Sequence, residues 1–304
     1  MRTCVRIRLV SDMTTTAVRL TGVTALERDL VPIDDGFLAY WHADGAARRR
    51  MVRAAFATMR EHRASFGFAP DTARILTAPE SQPKLDKSSK RDKVRTLSLM
   101  LTPWRGAFGN ACPAASQGCA TGCLNTAGKG DMPAVQHARM VRMAFLVMWP
   151  WESGVVLAHE WARELTAHGD TRLGFRPNCV SDIRWERVTP GMLAALIGAG
   201  VTVYDYTAFR PQLRDGRPDG YTLTFSAKET HDDAWIRGMV EAGHNVAVPV
   251  HVKPSQLMPG TWRGLPAIDG DVSDWRPGDP SGVVVLLRAK GRARRDRSGF
   301  VRSI

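Results

Sequence analysis

The sequence predicts an α/β protein, an open or partial (β/α)6-type barrel with an N-terminal mixed extension. Three observations carry that prediction. Six short apolar runs of β character fall between 96 and 287, helical patterns or long loops separate most of them, and strands alternating with helices pair in parallel through right-handed crossovers. A doubly wound open sheet is the alternative. The chain has 304 residues, 44% of them apolar, enough to bury a core without disulfide staples. Its mixed composition excludes collagen-like, disordered and coiled-coil classes.

In chain order, the first clear element is a helix over 46–65. Val52, Phe56, Met59 and Arg63 lie near one stripe, and Arg48, Arg49, Arg50, Arg53 and Arg60 crowd around it. The stretch PKLDKSSKRDKVR at 83–95 lacks periodicity and holds six basic residues against two acidic ones, so it reads as an exposed linker. The first β run, 96–101, leads into a cysteine-containing loop and then into helices over 133–148 and 154–168. Ala134, Ala138, Val141, Phe145 and Met148 set the helical spacing of the first. A β run at 172–175, a helix over 190–198, β runs at 201–204 and 221–225, a helix over 232–242, and β runs at 245–250 and 283–287 complete the alternation. The organisation is therefore an N-terminal mixed region with an Arg-rich helix (1–82), a basic linker (83–95), a barrel-like domain with a cysteine loop (96–291) and a basic tail (292–304).

The strongest local signal is FGNACPAASQGCATGCLN at 108–125, in which Cys112, Cys119 and Cys123 form a C-x6-C-x3-C spacing on a loop of small residues. Thiolates are soft ligands suited to iron–sulfur clusters and zinc, and small residues let backbone wrap a bulky group. Three thiolates without an obvious fourth point to a [4Fe–4S] cluster with one iron open to substrate or cofactor. Zinc is the alternative; a structural zinc site takes four ligands, and His137 on the following helix is a candidate fourth. Cys4 and Cys179 stand alone in sequence and read as ordinary thiols.

In parallel α/β folds, ligands collect at the carboxyl ends of the strands. The residues to inspect there are Asn110 in the cysteine loop, Arg176, Asn178, Ser181 and Asp182 after the second run, Asp205 and Tyr206 at the third, and Ser226, Lys228 and Glu229 at the fourth. His251 and Lys253 follow the fifth, Asp269, Asp271 and Asp274 precede the sixth, and Lys290 follows it. Polar groups converging on such a crevice are the usual layout of a site for a small molecule or nucleotide.

The chain resembles the phage and plasmid "gene product 88" family, whose biochemical role is poorly defined. The likeness spans roughly 97–301 and rests on several motifs: GNACP with Cys119 and Cys123-Leu124, RPNCVSDIRWE at 176–186, YDYT at 204–207, YTLTFS at 221–226, NVAV at 245–248, Ile268-Asp269-Gly-Asp271 through Asp274, and Leu287-Arg-Ala-Lys290-Gly291. The arrangement is also similar to radical S-adenosylmethionine enzymes, in which a three-cysteine loop after the first strand of a six-unit partial barrel holds a [4Fe–4S] cluster. That resemblance implies cluster ligation by Cys112, Cys119 and Cys123, with S-adenosylmethionine as a possible cosubstrate. The spacing here departs from the C-x3-C-x2-C usual in that group.

The net charge is +12, with a pI near 10, which suggests a polyanionic partner. By segment the charge is +3 over 1–82, +4 over 83–95, −1 over 96–287 and +6 over 288–304. A nucleic acid would therefore dock on the N-terminal helix, the linker or the tail. Arginines alternating with apolar residues at 1–10 do not read as a secretory signal. The longest apolar run, 143–151, is interrupted by Pro150 and is under half a bilayer span. No membrane contact and a cytoplasmic location are expected, with reduced thiols. Phosphate-loop, nucleophile-elbow and His-Glu-x-x-His motifs are absent. Two function classes remain: a cluster-bearing barrel enzyme, or a nucleic-acid-binding or replication-associated protein of a mobile element with a structural zinc or cluster site.

Overall fold

The computed structural model describes residues 22–67 and 74–304. The expectations for 1–10 and for Cys4 lie outside the described residues. The first described elements are three helices, α1 (Ala25–Leu30), α2 (Pro32–Trp41) and α3 (Gly45–Ser65). A capping box starts α1: Thr24 Oγ1 accepts from Glu27 N, and Glu27 Oε2 accepts from Thr24 N. Strand β1 (Leu76–Thr77), helix α4 (Pro83–Asp92) and strand β2 (Val94–Leu99) follow. A small antiparallel hairpin, β3 (Arg105–Gly106) and β4 (Gly109–Asn110), precedes the first cysteine, and helix α5 (Gln117–Thr121) carries the second.

The rest alternates. Helices α6 (Pro133–Met148) and α7 (Pro150–Ala167) lead to β5 (Arg172–Arg176). Next come α8 (Trp185–Val188), α9 (Pro190–Gly198), β6 (Thr202–Thr207), β7 (Tyr221–Ser226), α10 (Asp233–Glu241) and β8 (Asn245–Val250). Strands β9 (Thr261–Trp262), β10 (Leu265–Asp269) and β11 (Val284–Arg288) end the series.

This is a mixed α/β protein built on one nine-stranded, mostly parallel sheet, in the order β1-β2-β5-β6-β7-β8-β11-β10-β9. The six expected β runs are β2, β5, β6, β7, β8 and β11; they lie side by side in chain order, and every pair is parallel. The sheet exceeds the expected six strands because β1, β9 and β10 extend its ends. Strands of two residues show no alternation to read, and β10 carries Pro266.

The stretch at 83–95 is not an exposed linker. Pro83 opens α4 from its first turn, Leu85 and Ser88 are buried, and Lys93 turns the chain into β2 through a left-handed conformation (φ 52°). Much of its charge is paired: Lys90 with Asp86 at 2.7 Å, and Arg95 with both Glu164 and Glu80. With one large apolar contact, α4 has no 3.6-residue stripe for periodicity to detect.

The core lies between the sheet and its helices, with Phe37, Trp161, Phe175, Trp185 and Phe225 among its fully buried large side chains. Helices α2 and α7 cross closely because Gly36 and Gly154 face one another's backbone; a Cβ at Gly154 would meet Phe37 N at 2.6 Å. Among the described residues no single helix is long and apolar enough to cross a membrane; α6 and α7, apolar as a pair, meet at a 115° bend.

Candidate functional site

Parallel strands share one carboxyl edge, so the ends of β5, β6, β7, β8 and β11 converge. There the cysteine loop folds over them around a cavity of about 210 Å³. Cys112, Cys119 and Cys123 all line it, as do Arg176, Asn178, Ser181, Asp182, Ser226, Asp271 and Lys290. Tyr206 lines it too, whereas other candidates stand elsewhere. Asn110 uses its Oδ1 to accept from Cys112 N at 2.9 Å, shaping the turn. Asp205 is fully buried beneath the wall. Asp269 pairs with Arg288 at 3.0 Å behind it. Lys253 is exposed on the loop after β8 and does not reach the cavity; a lysine beside a proline in a loop stays solvated because no partner offsets its desolvation.

Hydrogen bonds from two neighbouring loops hold the cysteine loop. From the loop after β5, Asp182 N donates to Ala111 O at 2.7 Å, and Val180 O accepts from Cys112 Sγ at 3.6 Å. From the loop after β7, Glu229 accepts from Ser116 Oγ and, at 2.8 Å, from Gly118 N, while Ser116 Oγ caps Cys119 N at 3.2 Å. The backbone of α5 is thus fixed before any thiol acts.

Below the cavity lies a buried polar network. Asn178 Oδ1 accepts from Ser181 Oγ, Ile183 N and Trp185 Nε1, and its amide donates to Asp205 and to Ile183 O. Asp182 accepts from Thr207 Oγ1 and Ala208 N, each at 2.8 Å, with Arg214 behind it. These polar residues line the wall, yet their hydrogen-bonding groups are largely engaged in bracing the strand-end loops.

Charge concentrates on the opposite wall. Lys84, Arg176, Arg288 and Lys290 reach the cavity. Asp274, fully buried, takes Lys84 at 2.7 Å and also Arg176; Asp271 takes Lys290 at 2.6 Å. Burial alone would raise Asp274, but the two cations hold its carboxyl down to about 2. Arg176 also lies over the Tyr206 ring, 4.8 Å from its centroid.

Burial pushes all three loop thiols up, Cys119 to about 12, and repulsion from neighbouring thiolates adds to the rise at Cys112 and Cys119. Buried Arg139 on α6 opposes that rise at Cys123. Sequence reading missed Cys179, which lines the same cavity; it follows β5 directly, and the convergence of strand ends brings it to the three. It also misses Lys84, which lies in the stretch that the sequence reads as a linker, and Glu229's bracing of α5. The Asn-Cys pair one step past a strand end was the available signal for Cys179.

Among the described residues no group of three or more His, Cys, Asp or Glu side chains forms a ready-made metal-holding arrangement. The donor chemistry nevertheless fits a thiolate-held group. Cys112, Cys119, Cys123 and Cys179 are all free thiols around one cavity, and small residues flank the loop. Loading would require the thiols to lose protons and close in.

A model of the gene product 88 family matches residues 74–304, a span that takes in α4 and the sheet from β1 onward. No curated protein and no solved structure matches the chain.

Proposed function

The chain belongs to the gene product 88 family, and from its cysteine cavity we propose that it is a cluster-bearing enzyme, holding [4Fe–4S] through Cys112, Cys119 and Cys123 on a partial (β/α)6-type barrel. The observation that carries this reading is the convergence of the three loop thiols on one cavity at the carboxyl edge of parallel strands. The chain order of the six central strands supports a partial barrel, because a doubly wound sheet reverses order at its switch point. A cluster held by three thiolates would supply an open iron position and one-electron chemistry. The chain's own groups would orient a small anionic substrate or nucleotide: Arg176, Lys84 and Lys290 present positive charge to the cavity, and Asp274 and Asp271 fix their positions.

The test is anaerobic purification with iron, sulfide and zinc measured per chain. Brown protein absorbing near 400 nm, with the colour lost on Cys119→Ala, is the expected result; a colourless anaerobic preparation without iron overturns it. Titration with S-adenosylmethionine then reports whether that cosubstrate binds the loaded protein. A second reading is favoured by Cys179, which makes a fourth thiol on the cavity. Four thiolates suit a closed structural zinc site, as a nucleic-acid-binding mobile-element protein would use. One zinc per chain, with no iron, selects that reading.

A further inference from the structure

The basic excess is not spread evenly once pairing is counted. On α4 and β2, Lys84, Lys90 and Arg95 are all matched by carboxylates. In the tail, Arg292, Arg294, Arg295 and Arg297 are exposed, and none has an ion-pair partner among the described residues. Asp296, which stands among them, is engaged by the tail's own groups instead: it accepts from Ser298 Oγ at 2.7 Å and Val301 N at 3.0 Å.

These arginines occupy a built groove. The turn Gly291–Arg295 docks on α5, with Ala293 buried so close to Gly122 that a Cβ there would meet Ala293 Cβ at 3.1 Å. Between turn and helix lies a groove of about 710 Å³ lined by all four arginines and by two acids, Asp131 and Asp296. Gly122 and Ala293 line both this groove and the thiol cavity, so a thin wall separates them.

We propose that this groove binds single-stranded nucleic acid by its phosphodiester backbone and leads it past the mouth of the thiol cavity. Guanidinium forks without carboxylate partners match phosphate geometry, and a row of them tracking a backbone is the electrostatic half of a single-strand channel. A single strand is favoured over a duplex because a base can enter the adjoining cavity without leaving a stack; Phe300 and Tyr206 line that cavity and offer aromatic surface. The groove needs the arginines and not a metal, so the proposal stands apart from the cluster reading.

The test uses the full chain and a fluorescein-labelled, mixed-sequence 20-nucleotide DNA strand, followed by anisotropy. Four phosphate contacts predict that affinity falls about 50-fold between 50 and 200 mM salt. Replacing Arg292, Arg294, Arg295 and Arg297 with Ser is expected to remove most of the binding and flatten the salt slope. Arg49→Ser with Arg50→Ser and Arg53→Ser on α3 is expected to leave binding unchanged. In the unaltered chain, the strand is expected to protect 291–298 from trypsin, a readout independent of how the tail variant folds. Absence of binding at 50 mM salt, tighter binding of the matching duplex, unprotected arginines, or loss of binding in the α3 variant instead of the tail variant each overturns the proposal. The variant with Cys112, Cys119 and Cys123 changed to Ser is expected to bind the strand normally, while its iron content tests the cluster reading separately.

Discussion

Asp205 grips Asn178 twice, accepting the backbone N–H on one carboxylate oxygen and the side-chain amide on the other, both at 2.8 Å. Tyr221 donates to the second oxygen at 2.7 Å. Strand β6 thereby holds the loop that carries Cys179, Asp182 and one edge of the thiol cavity.

Asp205→Asn sets a second amide donor against Asn178 or Tyr221 in a buried site. A loss of about 1–3 kcal/mol is expected, read as a lower urea midpoint. Burial raises Asp205 to about 7, with Tyr221 and nearby arginines opposing. The native state therefore keeps a proton that the unfolded chain releases near pH 4. Stability from this residue is full below that pH and is lost as pH rises to about 7. Between pH 5 and 8 the midpoint of the natural protein should fall more steeply than that of the variant; equal slopes would refute the assignment.

Asp274 has the opposite sign. Its carboxyl sits near 2, so its contribution is present above about pH 4 and disappears as pH falls toward 2. Asp274→Asn leaves Arg176 buried without a carboxylate, an arrangement expected to destabilise by about 3–5 kcal/mol. Lys84→Ala, which removes the partly exposed partner, should lose far less. Paired denaturation curves would decide, and equal losses would count against Arg176 as the principal partner.

Gly118 lies under the tail: a Cβ there would meet Phe300 Cβ at 2.5 Å, Ser298 Oγ at 2.7 Å and Glu229 Oε2 at 2.8 Å. Overpacking of this kind usually costs about 1–3 kcal/mol. Gly118→Ala should lift the tail from α5 and speed tryptic cleavage within 291–298. Unchanged cleavage would show that the tail is held elsewhere.

Raised thiols make the metal-free protein sluggish toward alkylation. At pH 8 a thiol near 12, such as Cys119, should react with iodoacetamide about a thousandfold more slowly than an ordinary cysteine, and denaturant should abolish the difference. Because metal displaces thiol protons, metal uptake should strengthen with pH, releasing up to about three protons when three thiols ligate. Fast alkylation of Cys119 in the folded, metal-free chain would contradict its raised thiol.

Periodicity carried the central architecture. The helices at Pro133–Met148 and Pro190–Gly198 and the strand at Asn245–Val250 have the bounds read from the chain, because long amphipathic stripes and β-branched runs are local properties. The two-residue edge strands, the polar helix α4 and the helix pair α1–α2 left no comparable stripe. The cysteine loop was legible for a related reason: its three thiols lie within twelve positions. Cys179 was not, because its nearness to them depends on strands β2 and β5 pairing in parallel.

The sequence by itself determined an alternating α/β chain, a clustered thiol loop, a neutral central domain and a strongly basic tail. Tertiary structure alone decided which polar residues reach the cavity and which brace it. Asn178, Ser181 and Asp182 look like ligands in a strand-end motif, yet burial obliges their polar atoms to find partners within the fold. Arg292, Arg294, Arg295 and Arg297 look no different in sequence from the basic residues of α4. They have no carboxylate partner among the described residues because Asp296 beside them is taken by Ser298 and Val301, whereas packing brings distant acids to Lys84 and Arg95.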